Sequence, residues 1–430
     1  MEPERGTDPT RDVSLIEPVQ VLAGEIGPRG TGTSGEAAAA DYVAQCLARL
    51  GLPVERQEFR AVADQNGFPL AVNLVALLAV ALYPLGGPLT RWVAAALALA
   101  TPVLFWETVT HSESPLRPLL PHVRSQNAIG RIPPAGDIRQ RVVLLAHLDT
   151  NRCRLAWQSA TVRYLEPLTW LTFAVLVLLG GLYLAGALLG GPSWAWWLSL
   201  LPAGYVLGTV VTLWQDGRTP FSPGAHDNAS GMAVALAVGR RLTSQPLQHT
   251  EVWLAFTGAE ETDHRGLKVL LQEHGATLRD AAFLDLEGVG GGELVYLVRE
   301  GLCWPYRPDP GLLALAERVA ARRPDLGVRP ARMTVEDEVR TLRNRGYRAL
   351  CIAGRDPQTG TLPRWHRADD TAETVSPAAL ARATEFVLEM LREMDGADDG
   401  NCESTAKGRF TAETQSTQRY RKTLRSRVSA

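Results

Sequence analysis

The chain has 430 residues, of which 46% are hydrophobic and 21% are charged, and its formal net charge at pH 7 is -2. These values predict a folded protein with a large core and exclude a strong electrostatic preference for nucleic acid. Five widely spaced cysteines without a Cys-x-x-Cys pair indicate neither a disulfide framework nor a thiolate zinc site. The amino terminus lacks a basic start followed by an apolar core, so we expect no secretory signal peptide.

The first soluble elements surround a long apolar stretch. Residues 1–33 are rich in Gly, Pro and Thr and predict a flexible amino-terminal segment. Residues 35–50 have the apolar stripe of an amphipathic helix, and residues 54–59 alternate like a strand. Further strands are predicted at residues 128–132 and 142–146, and the second is a continuous apolar run typical of a strand buried on both faces of a sheet.

Two apolar segments predict transmembrane helical hairpins. The first is residues 68–106, with helices at 68–85 and 89–106. The second is residues 167–215, which holds 49 residues and no Asp, Glu, Lys, Arg or His. Two helices of about 23 residues each rise about 35 Å, enough to cross a hydrocarbon layer of about 30 Å. The alternatives are buried helices of a soluble core and, for the first pair, which Pro69, Asn73, Pro84 and Pro102 interrupt, a re-entrant hairpin.

Because each hairpin crosses the membrane and then crosses back, the rest of the chain lies on one side of the membrane. Arginines near the spans concentrate on that side, and the far-side turns contain only Arg91. The positive-inside rule therefore predicts that the soluble part of the chain lies in the cytoplasm. The arginines on the soluble side are Arg56, Arg60, Arg117, Arg124, Arg152, Arg154, Arg163 and Arg218.

Beyond the spans, helices and strands alternate, which predicts an α/β fold with a mixed β-sheet flanked by helices. The predicted helices are residues 233–242, 266–273, 311–321 and 376–394. The predicted strands are residues 251–256, 281–286, 293–298 and 349–352. One domain, residues 34–395, thus contains both hairpins. Residues 396–430 are polar and basic and predict a disordered tail.

Candidate metal ligands follow several of these strands. Asp227 lies in the turn-rich residues 224–231, which also read as an ordinary turn and helix N-cap involving Asn228 or Ser230. His147 and Asp149 are two apart at a strand end and share a face. The other candidates are Glu260, Glu261, Asp285 and His366. Singly, each could be a solvated carboxylate or a structural histidine. Jointly, carboxylates converging at strand ends would repel one another without a cation.

These stretches resemble, in order, the motifs of the co-catalytic two-zinc aminopeptidases, a family that includes glutamate-carboxypeptidase-like enzymes and glutaminyl cyclases. The motifs are residues 144–149, 224–231, 257–261, 283–285 and 366–371. The resemblance implies a zinc exopeptidase-like fold with two zinc ions. One zinc would be held by His147 and Asp285, the other by Glu261 and His366, with Asp227 bridging them. Catalytic roles would fall to Glu260, the general base, and to Asp149, the partner of His147.

The resulting hypothesis is a membrane-anchored zinc exopeptidase, most simply an aminopeptidase, that hydrolyses peptides with a metal-bridging water. Its expected partners are a peptide substrate and the lipid bilayer, and the oligomeric state is not indicated. Two rival functions are considered. A glutaminyl cyclase would use a single zinc, and an inactive receptor or scaffold would use the peptidase fold for binding only.

Overall fold

The computed structural model describes residues 15–110, 114–189, 192–302 and 304–396. Eight strands form one sheet in the order β1-β2-β4-β3-β5-β8-β6-β7. β3 pairs in parallel with β4 and β5, and β5 with β8, whereas β1, β2 and β6 add antiparallel pairs. The strands are β1 Val54–Val62, β2 His122–Ile132, β3 Gln140–His147, β4 Thr250–Thr257, β5 Ala282–Glu287, β6 Glu293–Arg299, β7 Arg329–Arg332 and β8 Arg348–Arg355.

Helices cover both faces of the sheet, which confirms the predicted mixed sheet flanked by helices. One core layer joins the sheet to α2, α7, α9 and α11, and a second joins the other face to α8 and α10. The helices are α1 Glu17–Val19, α2 Ser34–Arg49, α3 Gly67–Leu82, α4 Pro88–Val109, α5 Leu165–Leu188, α6 Pro192–Asp216, α7 Gly231–Ser244, α8 Arg265–His274, α9 Pro310–Arg322, α10 Glu338–Asn344 and α11 Pro377–Gly396.

The central parallel strands place the candidate site. Val142, Leu144 and Leu145 in β3 have no exposed surface, as expected for a strand with helices on both faces. Because β3, β4, β5 and β8 run in the same direction, their carboxyl ends meet at one edge of the sheet. The loops that follow β3 and β4 therefore face the loop that carries Asp227.

The amino-terminal segment differs from the prediction of flexibility at residues 1–33. Within the described part, residues 15–33, α1 is followed by a helical turn, Gln20–Ile26, and both Val19 and Leu22 are fully buried in the main core. Arg29 is also fully buried. The apolar residues of this segment are too few to reveal a period, and tertiary packing fixes its conformation. Residues 1–14 lie outside the described residues, as do residues 397–430 of the tail predicted at 396–430.

The apolar segments form four helices, α3 to α6, that pack into a bundle with a core of its own. The rings of Tyr83 and Tyr183 stack with centroids 4.1 Å apart, and the Tyr183 hydroxyl lies 2.9 Å from the Ser199 hydroxyl. All four helical segments, which span 19 to 27 residues, are long and apolar enough to cross a membrane. Most of the exposed large apolar side chains described lie on this bundle, including Leu201, which is 85% exposed.

Candidate metal centre

The loop between α6 and α7 presents Asp227 to the site. Gly224 begins it with φ +67°, and a Cβ there would come within 2.2 Å of the Thr150 side chain, so glycine is required. The Asp370 carboxylate accepts the backbone N–H groups of His226 and Asp227. Asn228 Oδ1 accepts the Gly231 N–H at the start of α7. The ordinary capping interaction therefore belongs to Asn228, which leaves Asp227 to face the histidines.

Asp227 lies between two histidines, one from each side of the site. Its Oδ1 is 3.0 Å from His147 Nε2, and its Oδ2 is 3.1 Å from His366 Nε2. His366 Nε2 is also 3.0 Å from Glu261 Oε1, and Asn151 donates to the other oxygen of Glu261 at 2.6 Å. The structure thus brings Asp227, Glu261, His147 and His366 together as the sequence predicts, with Asp227 in the shared position.

Glu287, and not Asp285, completes the half of the site that contains His147. His147 Nε2 lies 3.6 Å from Glu287 Oε2, and one ligand atom each of His147, Asp227 and Glu287 can be chosen within 4.8 Å of one another. Asp285 is in none of the candidate metal groups of the described chain. The geometry therefore places Glu287, rather than the predicted Asp285, beside His147. Asp285 pairs with Leu145, two residues before His147, so it lies deeper in the sheet.

Asp285 and Glu287 share a strand face, because they are two residues apart in β5. Burial raises the pKa of Asp285 well above its usual range, and the charges of Glu287 and Asp337 raise it further. Asn228 donates to Glu287 Oε1 at 3.1 Å and to the Leu286 carbonyl at 2.7 Å. The loop that carries Asp227 therefore also orients Glu287.

Asp149 connects His147 to Glu260. His147 Nδ1 lies 2.9 Å from the Asp149 carbonyl oxygen, which leaves Nε2 directed at Asp227 and Glu287. The Asp149 carboxylate accepts the Glu260 N–H at 3.0 Å and the Thr31 hydroxyl at 2.7 Å. Its nearer oxygen is 3.8 Å from His147 Nδ1. This carboxylate thus bonds the Thr31 hydroxyl and the backbone of Glu260, and the second bond helps to position Glu260.

Glu260 stands beside the ligands and is 7% exposed. Ligand atoms of His147, Glu260 and Glu261 lie within 4.8 Å of one another, and Glu260 Oε1 is 3.4 Å from His264 Nε2. Burial raises the pKa of Glu260 well above its usual range, although the nearby His147 opposes the shift. A carboxylate with a raised pKa binds a proton more readily than an ordinary carboxylate does, which suits a general base.

The carboxylates and histidines around Asp227 form an environment that favours bound positive charge. Burial disfavours the charged ring of His366, but Glu261 and Asp227 raise its pKa to about 9. Burial also raises the pKa of Glu287 to about 7, despite His147 nearby. A divalent cation would replace protons in such a cluster, because metals bind neutral imidazole and ionised carboxylate. Buried histidine nitrogens and carboxylate oxygens are the donor types that zinc prefers, so these residues fit the predicted metal.

Three residues that contact the candidate site were not identified from the sequence. Besides Glu287, these are His264, which contacts Glu260, and Arg29, whose guanidinium donates to the carbonyls of Leu148 and Gly224 at 2.9 and 2.8 Å. Arg29 thus ties the loop after β3 to the loop that carries Asp227. The signal for Glu287 was present in the sequence, because it continues the same-face alternation of Phe283 and Asp285. No local pattern distinguishes Arg29 or His264.

A cavity of about 310 Å³ adjoins the cluster. Trp157 and Trp365 line it and both contact His366, with ring centroids 4.8 and 4.9 Å away. Eight carboxylate residues line the cavity, whereas Arg154 is its only arginine and no lysine of the described chain contributes. The carboxylate residues are Asp216, Asp227, Glu260, Glu261, Asp263, Glu287, Glu336 and Asp337.

A mixed sheet with histidines and carboxylates at the ends of its central strands is similar in fold to a solved Zn-dependent exopeptidase from Parabacteroides distasonis. Residues 211–391 match the sequence model described as Peptidase family M28. This match and the similar solved structures confirm the resemblance to the co-catalytic zinc peptidases and glutaminyl cyclases. In the comparison with curated proteins, no sequence matches this chain.

Three similar solved structures illustrate the shared fold. A zinc aminopeptidase from Bacillus subtilis is 17% identical with a TM-score of 0.52, covering 89% of this chain and 94% of its own. A leucine aminopeptidase precursor from Bacteroides thetaiotaomicron is 15% identical with a TM-score of 0.53, covering 88% and 96%. Glutaminyl cyclase from Porphyromonas gingivalis is 16% identical with a TM-score of 0.53, covering 89% and 97%. At these identities the similarity shows the fold alone.

Proposed function

We propose that this chain is a membrane-anchored, two-zinc aminopeptidase. The observation that carries the proposal is the position of Asp227, whose two oxygens face His147 on one side and His366 on the other. One metal would be held by His147 and Glu287, and the second by Glu261 and His366, with Asp227 shared. Bound zinc would polarise the peptide carbonyl and lower the pKa of water.

The protein's own residues have separate tasks in this proposal. Glu260 takes a proton from the attacking water and returns it to the leaving amine. Asp149 positions Glu260 through its backbone N–H and supports the loop that holds His147. Hydrolysis adds water across the amino-terminal peptide bond, so that the carbonyl carbon gains the hydroxyl and the nitrogen gains the proton. The products are a free amino acid and a shortened peptide.

The charge of the cavity supports an aminopeptidase over a carboxypeptidase. Its lining contains eight carboxylate residues and one arginine. Arg117 and Lys268 pair with Asp263, Arg340 pairs with Glu336, and Arg154 lies 3.7 Å from Asp64, so these cations around the cavity are already paired with carboxylates. They would offer little to a peptide's carboxylate terminus, whereas its protonated amino terminus would meet carboxylates of the lining.

Metal content and turnover test the proposal together. Detergent-purified full-length protein should contain about two zinc ions per chain, and chelation should remove metal and activity together. A panel of aminoacyl and glutaminyl-peptide substrates separates the rival functions. Release of free amino acids supports the aminopeptidase. Cyclisation of amino-terminal glutamine by a protein holding one metal would support the cyclase, and metal binding without either reaction would support a scaffold.

We also propose that α3 to α6 cross the membrane and that the catalytic domain faces the cytoplasm. Both helix pairs start and end beside the catalytic domain, which is consistent with two hairpins entering from one side. The outward-facing apolar side chains of this bundle would be solvated by lipid. The orientation rests on the arginines near the spans.

The protein should therefore stay with membranes during carbonate or high-salt extraction, because about 49 uncharged residues at 167–215 cannot be solvated by water. The measurement is fractionation of expressing cells followed by immunodetection. Quantitative release by carbonate would contradict membrane insertion. For the orientation, protease added to intact cells should leave the catalytic domain whole, and its digestion there would place the domain outside.

A further inference from the structure

The active-site cavity is bounded by the helical bundle as well as by the catalytic domain. All four apolar helices contribute the ends that lie nearest the metal ligands. Phe68 lies at the start of α3, and Leu165 lies at the start of α5. Phe105 and Val109 lie near the end of α4, and Leu213 lies near the end of α6. The wall that these helix ends form is therefore largely apolar, and it is made by the part of the chain proposed to enter the bilayer.

A second cavity lies on the outside of the same wall. It is a groove of about 300 Å³ between α3, α6 and the loop before β2. Its lining is mainly apolar and includes Leu70, Ala71 and Leu74, and Leu74 is 49% exposed. On a bundle surrounded by lipid, this groove would open toward the acyl chains near the membrane surface.

The groove and the active-site cavity share two lining residues, Asn66 and Leu213. Asn66 Nδ2 donates to the Leu213 carbonyl oxygen at 3.4 Å, a long hydrogen bond that connects the start of α3 to the end of α6. Asn66 and Leu213 thus border both spaces, and they belong to the contact between α3 and α6. A modest separation of α3 from α6 would join the spaces.

We infer that the contact between α3 and α6 is a lateral entrance through which the amino-terminal end of a membrane-inserted apolar peptide reaches the metal centre. The inference rests on the proposed aminopeptidase function and specifies its substrate class. The peptide's amino terminus lies among the carboxylates of the cavity, and its following apolar residues run past Asn66 and Leu213 into the groove. A lipid-facing route suits such a peptide because its apolar residues need not enter water.

The test compares one cleavable amino-terminal sequence in two forms. One form is a short soluble peptide. The other continues into an apolar helix inserted in phosphatidylcholine vesicles that also contain the full-length zinc-loaded protein. At equal bulk concentration, the anchored form should be cleaved with a kcat/KM about 10²-fold higher, because co-insertion raises its effective concentration at the entrance.

If the anchored peptide enters through the groove, filling the groove should remove the preference for the anchored form over the soluble form. Ala71→Trp places a large ring in the groove, and the ratio of anchored to soluble kcat/KM should fall by about the same factor of 10². Ala81→Trp is the matched control, because Ala81 is exposed on the same helix and lies outside the groove. In this control the ratio should equal that of the unmodified protein.

The outcomes separate this inference from the proposed function. Equal cleavage of both forms by the unmodified protein overturns the lateral entrance, as does an unchanged ratio in Ala71→Trp. In either case, cleavage of the soluble peptide leaves the aminopeptidase function intact. Failure of the zinc-loaded protein to cleave either form overturns the proposed function itself. Membrane extraction and circular dichroism of both variants verify insertion and folding before the ratios are compared.

Discussion

Replacing Glu260 with glutamine should lower turnover by about 10²- to 10⁴-fold, the usual contribution of a general base. The amide has nearly the shape of the acid but cannot accept a proton near neutral pH. Because Glu260 is not assigned as a metal ligand, Glu260→Gln should keep its zinc and its affinity for a competitive inhibitor. Metal content, inhibitor binding and turnover should be measured on the same preparation.

Glu261→Gln is the matched control, since the same change is made at the adjacent residue. Glu261 Oε1 lies 3.0 Å from His366 Nε2, in the group assigned to the second metal. Its substitution should lower metal affinity, and added zinc should restore part of the activity. Loss of metal in Glu260→Gln with retention in Glu261→Gln would exchange the two roles. An unchanged peptidase rate in Glu260→Gln would contradict the mechanism.

Glu287→Gln should weaken binding of one zinc by more than about 100-fold, because losing a ligand costs more than the 10- to 100-fold typical of residues behind the ligands. Glu287 Oε2 is the carboxylate oxygen of β5 that approaches His147 Nε2. Activity should fall with the metal and should recover in part at high zinc concentration. Zinc titration with a chromophoric competitor measures the affinity.

Asp285→Asn provides the comparison for Glu287→Gln. Asp285 is fully buried two residues earlier on the same face of β5, and neither of its carboxylate oxygens has a hydrogen-bond partner among the described residues. The variant should retain both metals, because Asp285 lies below the ligand layer. If Asp285→Asn loses zinc while Glu287→Gln keeps it, the ligand assignment from the sequence is right and the geometry-based one is wrong.

The sequence predicted most elements because their apolar periods are strong. The pattern at residues 35–50 corresponds to α2, and the continuous apolar run at 142–146 lies within β3. It did not predict β7, Arg329–Arg332, a four-residue edge strand with exposed arginines and a proline, because edge strands need no apolar alternation. It also missed α10, which is too short to establish a helical period.

The sequence predicted which strand ends carry the candidate ligands, but it did not always identify the ligand residue. Four candidate ligands come together because each follows or faces the carboxyl end of a parallel strand: Asp227, Glu261, His147 and His366. This convergence can be predicted once the strands and their order are read from the sequence. Asp285 and Glu287 satisfy the same rule, since both point to the same face. Only the register of β5 against β3 decides between them, and register depends on long-range pairing.

By itself, the sequence determined the soluble sheet, the apolar hairpins and the chemical types of the metal ligands, because hydrophobic period and residue chemistry are local properties. The tertiary structure alone decided that Glu287 stands beside His147, that Arg29 joins the loop after β3 to the loop that carries Asp227, and that four apolar helix ends line the cavity beside the candidate ligands. Each of these depends on the register or packing of segments far apart in the chain, where the free energy is set by contacts that no short stretch of sequence contains.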